Sequence, residues 1–107
     1  MARKKLDTLT EPMYYVLLAL TEERHGYGIM QFTDQLTGGQ VSLGAGTLYA
    51  LLARFEKEGL ITSTGERDKR KYYELTGEGR QVLADEFARL HRQVSDGARI
   101  LRKERGI

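Results

Sequence analysis

The stretch "GAGTLYALLARFEKEGLI", residues 44–61, decides the fold of this chain. Its apolar side chains recur at the spacing of an amphipathic helix, and Gly59 marks the end of that helix. The residues predicted to face inward are Leu48, Leu51, Leu52 and Phe55. Gly44 and Gly46 precede this run, so the backbone at the start of the helix is free to approach another surface closely.

Two further helices are predicted before this stretch. "EPMYYVLLALTEE" predicts a helix that Thr10 caps, that carries Pro12 in its first turn and that ends near Arg24. "YGIMQFTDQLTGG" predicts a second helix that stops at its double glycine. The apolar stripe of this second helix is predicted to be Ile29, Phe32 and Leu36.

The apolar period changes from 3.6 to 2 after residue 60. "LITST" and "KYYEL" predict two strands, and "GERDKR" between them has the glycine and charges of an exposed hairpin tip. Thr76 then caps a last helix of about 28 residues, or about 42 Å. The predicted fold is mainly α with a small β-hairpin. A winged helix-turn-helix spans residues 1–76, and a long C-terminal dimerisation helix spans 77–107 as part of one compact unit.

The last helix is too long to be covered by one small domain. Its apolar residues follow near-heptad steps and are Leu83, Phe87, Leu90, Val94, Ala98 and Leu101. They form either a seam against a second subunit or a stripe that covers only the domain's own core. We expect the seam and therefore a homodimer, which would set two helices of residues 44–61 roughly 34 Å apart.

Composition excludes several classes of protein. The 107 residues are 40% hydrophobic and 30% charged, and they contain no cysteine. Disulfides, thiolate catalysis and cysteine-based zinc sites are therefore absent. No apolar run approaches the roughly 20 residues of a membrane span, and no apolar segment of a secretion signal follows the first basic residues. The simplest expectation is a cytoplasmic protein with no membrane partner.

Enzymatic chemistry has no support in the sequence. His25 and His91 are far apart and no cysteine accompanies them, so we expect no metal site. His25 is expected to form hydrogen bonds in the "HGY" turn. Glu56 and Glu58 fall on different faces of one helix and form no shared acid–base site. Neither a dinucleotide fingerprint nor a phosphate-binding GxxxxGK[ST] loop occurs, so we expect no cofactor.

The positions of the charged residues favour nucleic-acid binding, although the net charge of the chain does not. The net charge is only +2, yet cations concentrate at the hairpin tip and at the N-terminus, as Arg67, Lys69, Arg70, Lys71, Arg3, Lys4 and Lys5. Each group either contacts a phosphate backbone or is a solvated segment. Ser42 and Thr47 lie near the start of the third helix, where hydroxyl groups either contact phosphate or cap the helix.

Three strings in register resemble the PadR transcriptional regulators, in the short form with a single C-terminal helix. They are "HGYGI" at 25–29, "GTLYALLARFEKEGLI" at 46–61 and "RKYYELTGEG" at 70–79. The resemblance implies a homodimeric repressor on pseudo-palindromic double-stranded DNA, often released by a small molecule. It also places Thr47 and Tyr49 at the DNA face. The family often has a proline before this helix, where this chain has Gly44 and Ala45.

An effector site is the remaining expectation. The residues predicted to line a cavity for a small hydrophobic or aromatic effector are Tyr14, Leu18, Phe87, Leu90 and Val94. The alternative is that these side chains only pack an interface. A competing function is a ligand-sensing or partner-binding dimer that has the same fold and binds DNA weakly, because fold does not dictate function.

Overall fold

The computed structural model describes residues 8–105, which form four helices and three strands. In chain order these are α1 (Glu11–Ala19), β1 (Arg24–His25), α2 (Gly26–Thr37), α3 (Ala45–Lys57), β2 (Ile61–Arg67), β3 (Arg70–Leu75) and α4 (Gly77–Arg105). The sheet is antiparallel with the order β1-β3-β2. This confirms the predicted winged helix-turn-helix with a long last helix and adds a third strand to the predicted hairpin.

The three short helices and the base of the sheet enclose one apolar core. Its most completely buried side chains are Val16, Leu17, Leu20, Ile29, Leu48, Leu52, Phe55, Leu60 and Ile61. Leu51, predicted to face inward, is partly buried against this core. The prediction for Leu36 was wrong, because this side chain is 55% exposed and the buried side of α2 runs through Ile29 and Thr33.

Helix α1 begins as predicted and ends earlier. Thr10 caps it by accepting a hydrogen bond from Met13 N through Oγ1 at 3.4 Å. The prediction that it continues to near Arg24 was wrong, since the helix ends at Ala19. The backbone turns away there because the Leu20 carbonyl accepts a hydrogen bond from Leu75 N of β3 at 3.0 Å. The Arg24 guanidinium also donates to the Ala19 carbonyl and so occupies a group at the helix end.

Strand β1 was missed because it has only two residues. Arg24 pairs with Tyr73, and His25 pairs with Tyr72. Such a short strand has no alternating pattern for the sequence to display. Its effect is to place the start of α2 directly against β3.

The hairpin of β2 and β3, which we call the wing, has a strained tip. Asp68 and Lys69 have φ values of 53° and 64°, so both central residues of the turn are left-handed. Turns of this kind match the twist of antiparallel strands but usually carry glycine or asparagine. A residue with a β-carbon costs about 1 kcal/mol or more in this conformation. The turn therefore holds Lys69 at the tip against a conformational penalty.

The start of α4 is seated on the end of α3. Thr76 caps α4 as predicted, because Gly79 N donates to its Oγ1 at 3.0 Å. The same hydroxyl donates to the Gly59 carbonyl at 2.6 Å, and Thr76 N donates to the Leu60 carbonyl at 3.0 Å. A β-carbon on Gly79 would lie 2.0 Å from the Leu60 carbonyl oxygen, so only glycine allows this approach.

Helix α4 contributes to the core only through its first turns. Val82 and Leu83 are buried in the common core. The buried Glu86 binds Arg89 with donor–acceptor distances of 3.0 Å and 2.5 Å, and Arg89 lowers the pKa of this carboxyl group. Within the described part of the helix, no side chain after Leu90 is buried.

We predict that Gly79→Ala lowers the free energy of unfolding by about 1–3 kcal/mol, because the new methyl group meets the Leu60 backbone. Urea unfolding followed by circular dichroism measures this change. Gly77→Ala is the matched control, since nothing lies within 4 Å of the added β-carbon. Equal effects of the two substitutions would contradict the close approach at Gly79.

We also predict that Lys69→Gly is more stable than Lys69→Ala by about 1 kcal/mol. Both variants lose the same charge, but only glycine relieves the left-handed conformation at this position. Thermal or urea unfolding of the pair checks the difference. If the alanine variant is equally stable, the tip is not strained.

Candidate nucleic-acid interface

The outer face of α3 is built from small residues. Gly46, Ala50 and Ala53 are exposed at spacings of four and three residues, which places them on one side of the helix. Thr47 and Tyr49 are exposed too, and Tyr49 has 52% of its surface accessible. The inward side carries Leu48, Leu52 and Phe55, as predicted from their spacing. Helix α3 therefore presents a stripe of small side chains, flanked by the hydroxyl group of Thr47 and the phenol of Tyr49.

The start of α3 has no side-chain cap. Gly44 is the N-cap residue and no side chain binds the first amides, so capping by Ser42 or Thr47 was a wrong alternative. Ser42 is exposed and lies before the helix. The first backbone N–H groups of α3 are therefore open to a hydrogen-bond acceptor of another molecule, and the positive end of the helix dipole favours an anionic one.

The wing and α3 meet around one open hollow of about 260 Å³, which we call the wing hollow. Its lining residues are His25, Gly26, Tyr27, Tyr49, Lys69, Arg70, Lys71 and Tyr73. Four predicted DNA-binding residues thus come together from α3 and the wing, namely Tyr49, Lys69, Arg70 and Lys71. Tyr27 was not predicted to lie on this surface, although the "HGYG" motif that contains it was the available signal.

The absence of a side chain at Gly26 makes room for Tyr49 of α3 at the wing hollow. A β-carbon at this position would lie 2.3 Å from the Tyr49 hydroxyl oxygen. The phenol of Tyr49 therefore rests on the start of α2 in the space that the missing side chain leaves. This contact fixes the direction of an exposed side chain on α3.

His25 forms the hydrogen bond predicted for the "HGY" turn and is the N-cap of α2. Its Nδ1 accepts a hydrogen bond from Gly28 N at 2.9 Å. Its Nε2 lies 3.1 Å from Nη1 of Arg70. Burial lowers the pKa of His25, and the positive charge of Arg70 lowers it further.

Arg67 differs from the other cations of the wing, because it binds within the protein. Its guanidinium lies 2.9 Å from the Glu23 carboxylate and 3.9 Å from the centre of the Tyr72 ring. A β-bulge between Ser63 and Gly65 lets Thr64 donate to the same carboxylate. The bonds from Thr64 and Arg67 lower the pKa of Glu23. Arg67 thus fastens the wing to the segment before β1.

The remaining predicted DNA-binding residues lie apart from the wing hollow or precede the described residues, and Arg54, a further cation of α3, is paired within the helix. Arg3, Lys4 and Lys5 precede the residues that the structure describes. On α3, Arg54 forms an ion pair with Glu58 at 3.3 Å, one turn along the helix. Ser42 lines a separate shallow surface with Tyr27 and Leu43.

The apolar stripe of α4 divides into a buried and an exposed part. Leu83 is 9% exposed and belongs to the core, whereas Leu90 is half-buried. The members of the stripe exposed to solvent are Phe87, Val94, Ala98 and Leu101. Val94 is 69% exposed, and Ile100 beside the stripe is exposed as well. A surface of this kind on a helix is typical of an interaction site.

The predicted effector residues line a common hollow only in part. Leu18 and Phe87 line an open, mainly apolar hollow of about 270 Å³ between α1 and α4, together with Thr21, Leu75, Arg80, Leu83 and Ala84. Tyr14, Leu90 and Val94 are not among its lining residues.

Residues 8–105 offer neither a metal site nor a membrane span. No group of three histidine, aspartate or glutamate side chains in this range is placed to hold a metal ion. None of the helices described has the length and apolar character that crossing a membrane requires.

The chain resembles an uncharacterised bacterial protein along most of its length. It is 37% identical over 87 residues to an uncharacterized 37.1 kDa transposon protein from Streptomyces fradiae, covering 78% of this chain and 25% of that protein. This chain therefore spans a quarter of the length of that relative.

Solved structures share the fold. A PadR family transcriptional regulator from Eggerthella lenta superposes with a TM-score of 0.70 at 31% identity, covering 84% of this chain and 80% of that one. PadR from Bacillus subtilis, solved in complex with operator DNA, gives a TM-score of 0.62 at 30% identity and covers 74% of this chain and 47% of that one. The model of the transcriptional regulator PadR-like family matches residues 16–85, and this chain belongs to that family.

Proposed function

We propose that this protein is a homodimeric, sequence-specific DNA-binding regulator that represses transcription and is released by a small effector. The observation that carries the proposal is the wing hollow, where Tyr49 of α3 and the cations Lys69, Arg70 and Lys71 converge. The proposed division keeps residues 1–76 as the DNA-binding part and 77–107 as the dimerisation helix.

Helix α3 has the properties that the major groove requires. Gly46, Ala50 and Ala53 leave one stripe of its outer face without bulky side chains, so the helix axis can approach base edges closely. Thr47 offers a hydroxyl and a methyl group, which bind base edges and the thymine methyl group respectively. The uncapped amides at its start provide donors for a phosphate, with Ser42 beside them.

The wing supplies the electrostatic part of binding. Because the net charge of the chain is only +2, a local concentration of cations has to attract the DNA backbone. Lys69, Arg70 and Lys71 supply that concentration, whereas Arg67 acts by holding the wing in place through Glu23. We propose that Arg3, Lys4 and Lys5 also contact the DNA backbone.

The exposed stripe of α4 supports the dimer. A helix of 29 residues is about 43 Å long, and only its first turns pack in the core. Phe87, Val94 and Leu101 then lie exposed along one face, which a second copy of α4 covers. A two-fold dimer matches a pseudo-palindromic operator. The hollow lined by Leu18 and Phe87 is where we place a small hydrophobic or aromatic effector.

We predict that binding to DNA flanking the gene weakens steeply with salt, because released counterions drive it. Lys69→Ala and Arg70→Ala should weaken binding to operator and random duplexes alike, and each should reduce the salt slope by about 1. Thr47→Ala should also change sequence preference. Fluorescence anisotropy measures each effect. Arg92→Ala is the control, since it removes an exposed cation from α4.

Two outcomes would contradict this assignment. If all three substitutions reduce operator and random binding equally, α3 does not read sequence. If no duplex is bound at any salt concentration, the ligand-sensing or partner-binding dimer is the better explanation, and the repressor proposal fails.

We predict that Val94→Glu dissociates the dimer and raises its dissociation constant at least about tenfold, the equivalent of 1.4 kcal/mol. The new carboxylate would be buried without a partner in the seam, but it lies in solvent in the monomer. Analytical ultracentrifugation measures the change. Ser95→Glu is the matched control, because it adds the same charge one residue away and off the stripe. A monomeric wild-type protein at micromolar concentration would refute the seam.

A further inference from the structure

Two hydrogen-bond donors face each other in the wing hollow. Nδ1 of His25 accepts from Gly28 N, so it carries no proton, and the proton of the neutral ring is on Nε2. That Nε2–H group lies 3.1 Å from Nη1 of Arg70. A guanidinium has donors and no acceptor, so these two atoms do not bond to each other. They are close enough for one acceptor oxygen to reach both.

The surroundings favour an anion as that acceptor. Lys69 and Lys71 line the same hollow, and none of the described residues that line it carries a carboxylate. The guanidinium carbon of Arg70 is 5.8 Å from the centre of the Tyr27 ring, which limits where the cation can lie. The start of α2 adds the positive end of a helix dipole. Cationic side chains and the start of α2 thus border one hollow.

The cap keeps His25 in the form that donates. A second proton would go onto Nδ1 and would break the bond from Gly28 N at the start of α2. It would also place a positive charge beside Arg70. The lowered pKa of His25 agrees with this arrangement. The ring is therefore a neutral donor of fixed direction.

We infer that His25 Nε2–H and the Arg70 guanidinium clamp one oxygen of a DNA backbone phosphate in the wing hollow. This inference rests on the proposed DNA binding and names the contact that joins α3 to the wing. Tyr49 of α3 lines the same hollow from the other side. The clamped phosphate therefore lies where the DNA strand leaves the major groove occupied by α3 and passes under the wing.

The test neutralises phosphates one at a time. A duplex selected by the wild-type protein from random sequence is prepared with a single uncharged methylphosphonate at each backbone position in turn. We expect one position per half-site where neutralisation weakens wild-type binding on the order of tenfold, since a charge-assisted contact is lost. Arg70→Gln and His25→Asn should lose less than about twofold at that position, because their contact is already missing.

The variants are chosen so that folding is not the cause. Asparagine is a good N-cap residue, so His25→Asn keeps an acceptor for Gly28 N and removes the ring that carries Nε2–H. Arg70 is exposed, so Arg70→Gln leaves the core intact. Lys57→Gln is the matched control, because it removes an exposed cation of α3 outside the wing hollow. It should keep the full wild-type sensitivity at the same phosphate.

Each result separates the clamp from the proposed function. If no duplex is selected, DNA binding fails and the clamp fails with it. If a duplex is bound but all variants lose affinity equally at every neutralised position, the clamp alone is overturned. Inorganic phosphate titrated without DNA is the last arm. Binding of free phosphate that depends on Arg70, with no position-specific coupling on the duplex, would show a site for a free anion and would overturn the clamp.

Discussion

The end of β3 is the junction on which the rest of the structure depends. Leu75 N bonds to the Leu20 carbonyl, and Thr76 N bonds to the Leu60 carbonyl, so β3 is held against the ends of both α1 and α3. The Thr76 hydroxyl then starts α4 while it binds the Gly59 carbonyl. The wing precedes this junction and α4 follows it. The positions of the wing hollow and of the exposed α4 stripe relative to α3 are therefore set by a few backbone bonds.

Features that depend on local sequence were predictable, and those that depend on distant partners were not. The helices, the strands of the wing and the Thr76 cap follow from periodicity and capping within a few residues. The end of α1 depends on Leu75 of β3, and β1 exists only because Tyr72 and Tyr73 of β3 pair with it. Neither partner is visible in the local pattern.

The same distinction applies to the candidate site. Arg67 and Arg70 look equivalent in the sequence of the wing, but Glu23 binds only the first and His25 faces only the second. Likewise Leu83 and Val94 share one apolar stripe, yet the core covers the former and leaves the latter 69% exposed. Residue type and spacing place both members of each pair on one surface. Only the tertiary arrangement shows which side chain is bound within the protein and which is open to a partner.

The glycine seat of α4 has a mechanical consequence. Because Gly79 lies directly on the Leu60 carbonyl, the first turn of α4 is held against the backbone that joins α3 to β2. α4 is a lever about 43 Å long, and a tilt of about 5° about this pivot moves its far end by about 4 Å. Conversely, a displacement of that size at the far end is a rotation of only a few degrees about this pivot. A structural change along α4 would thus reach the segment between α3 and β2 as a small rotation.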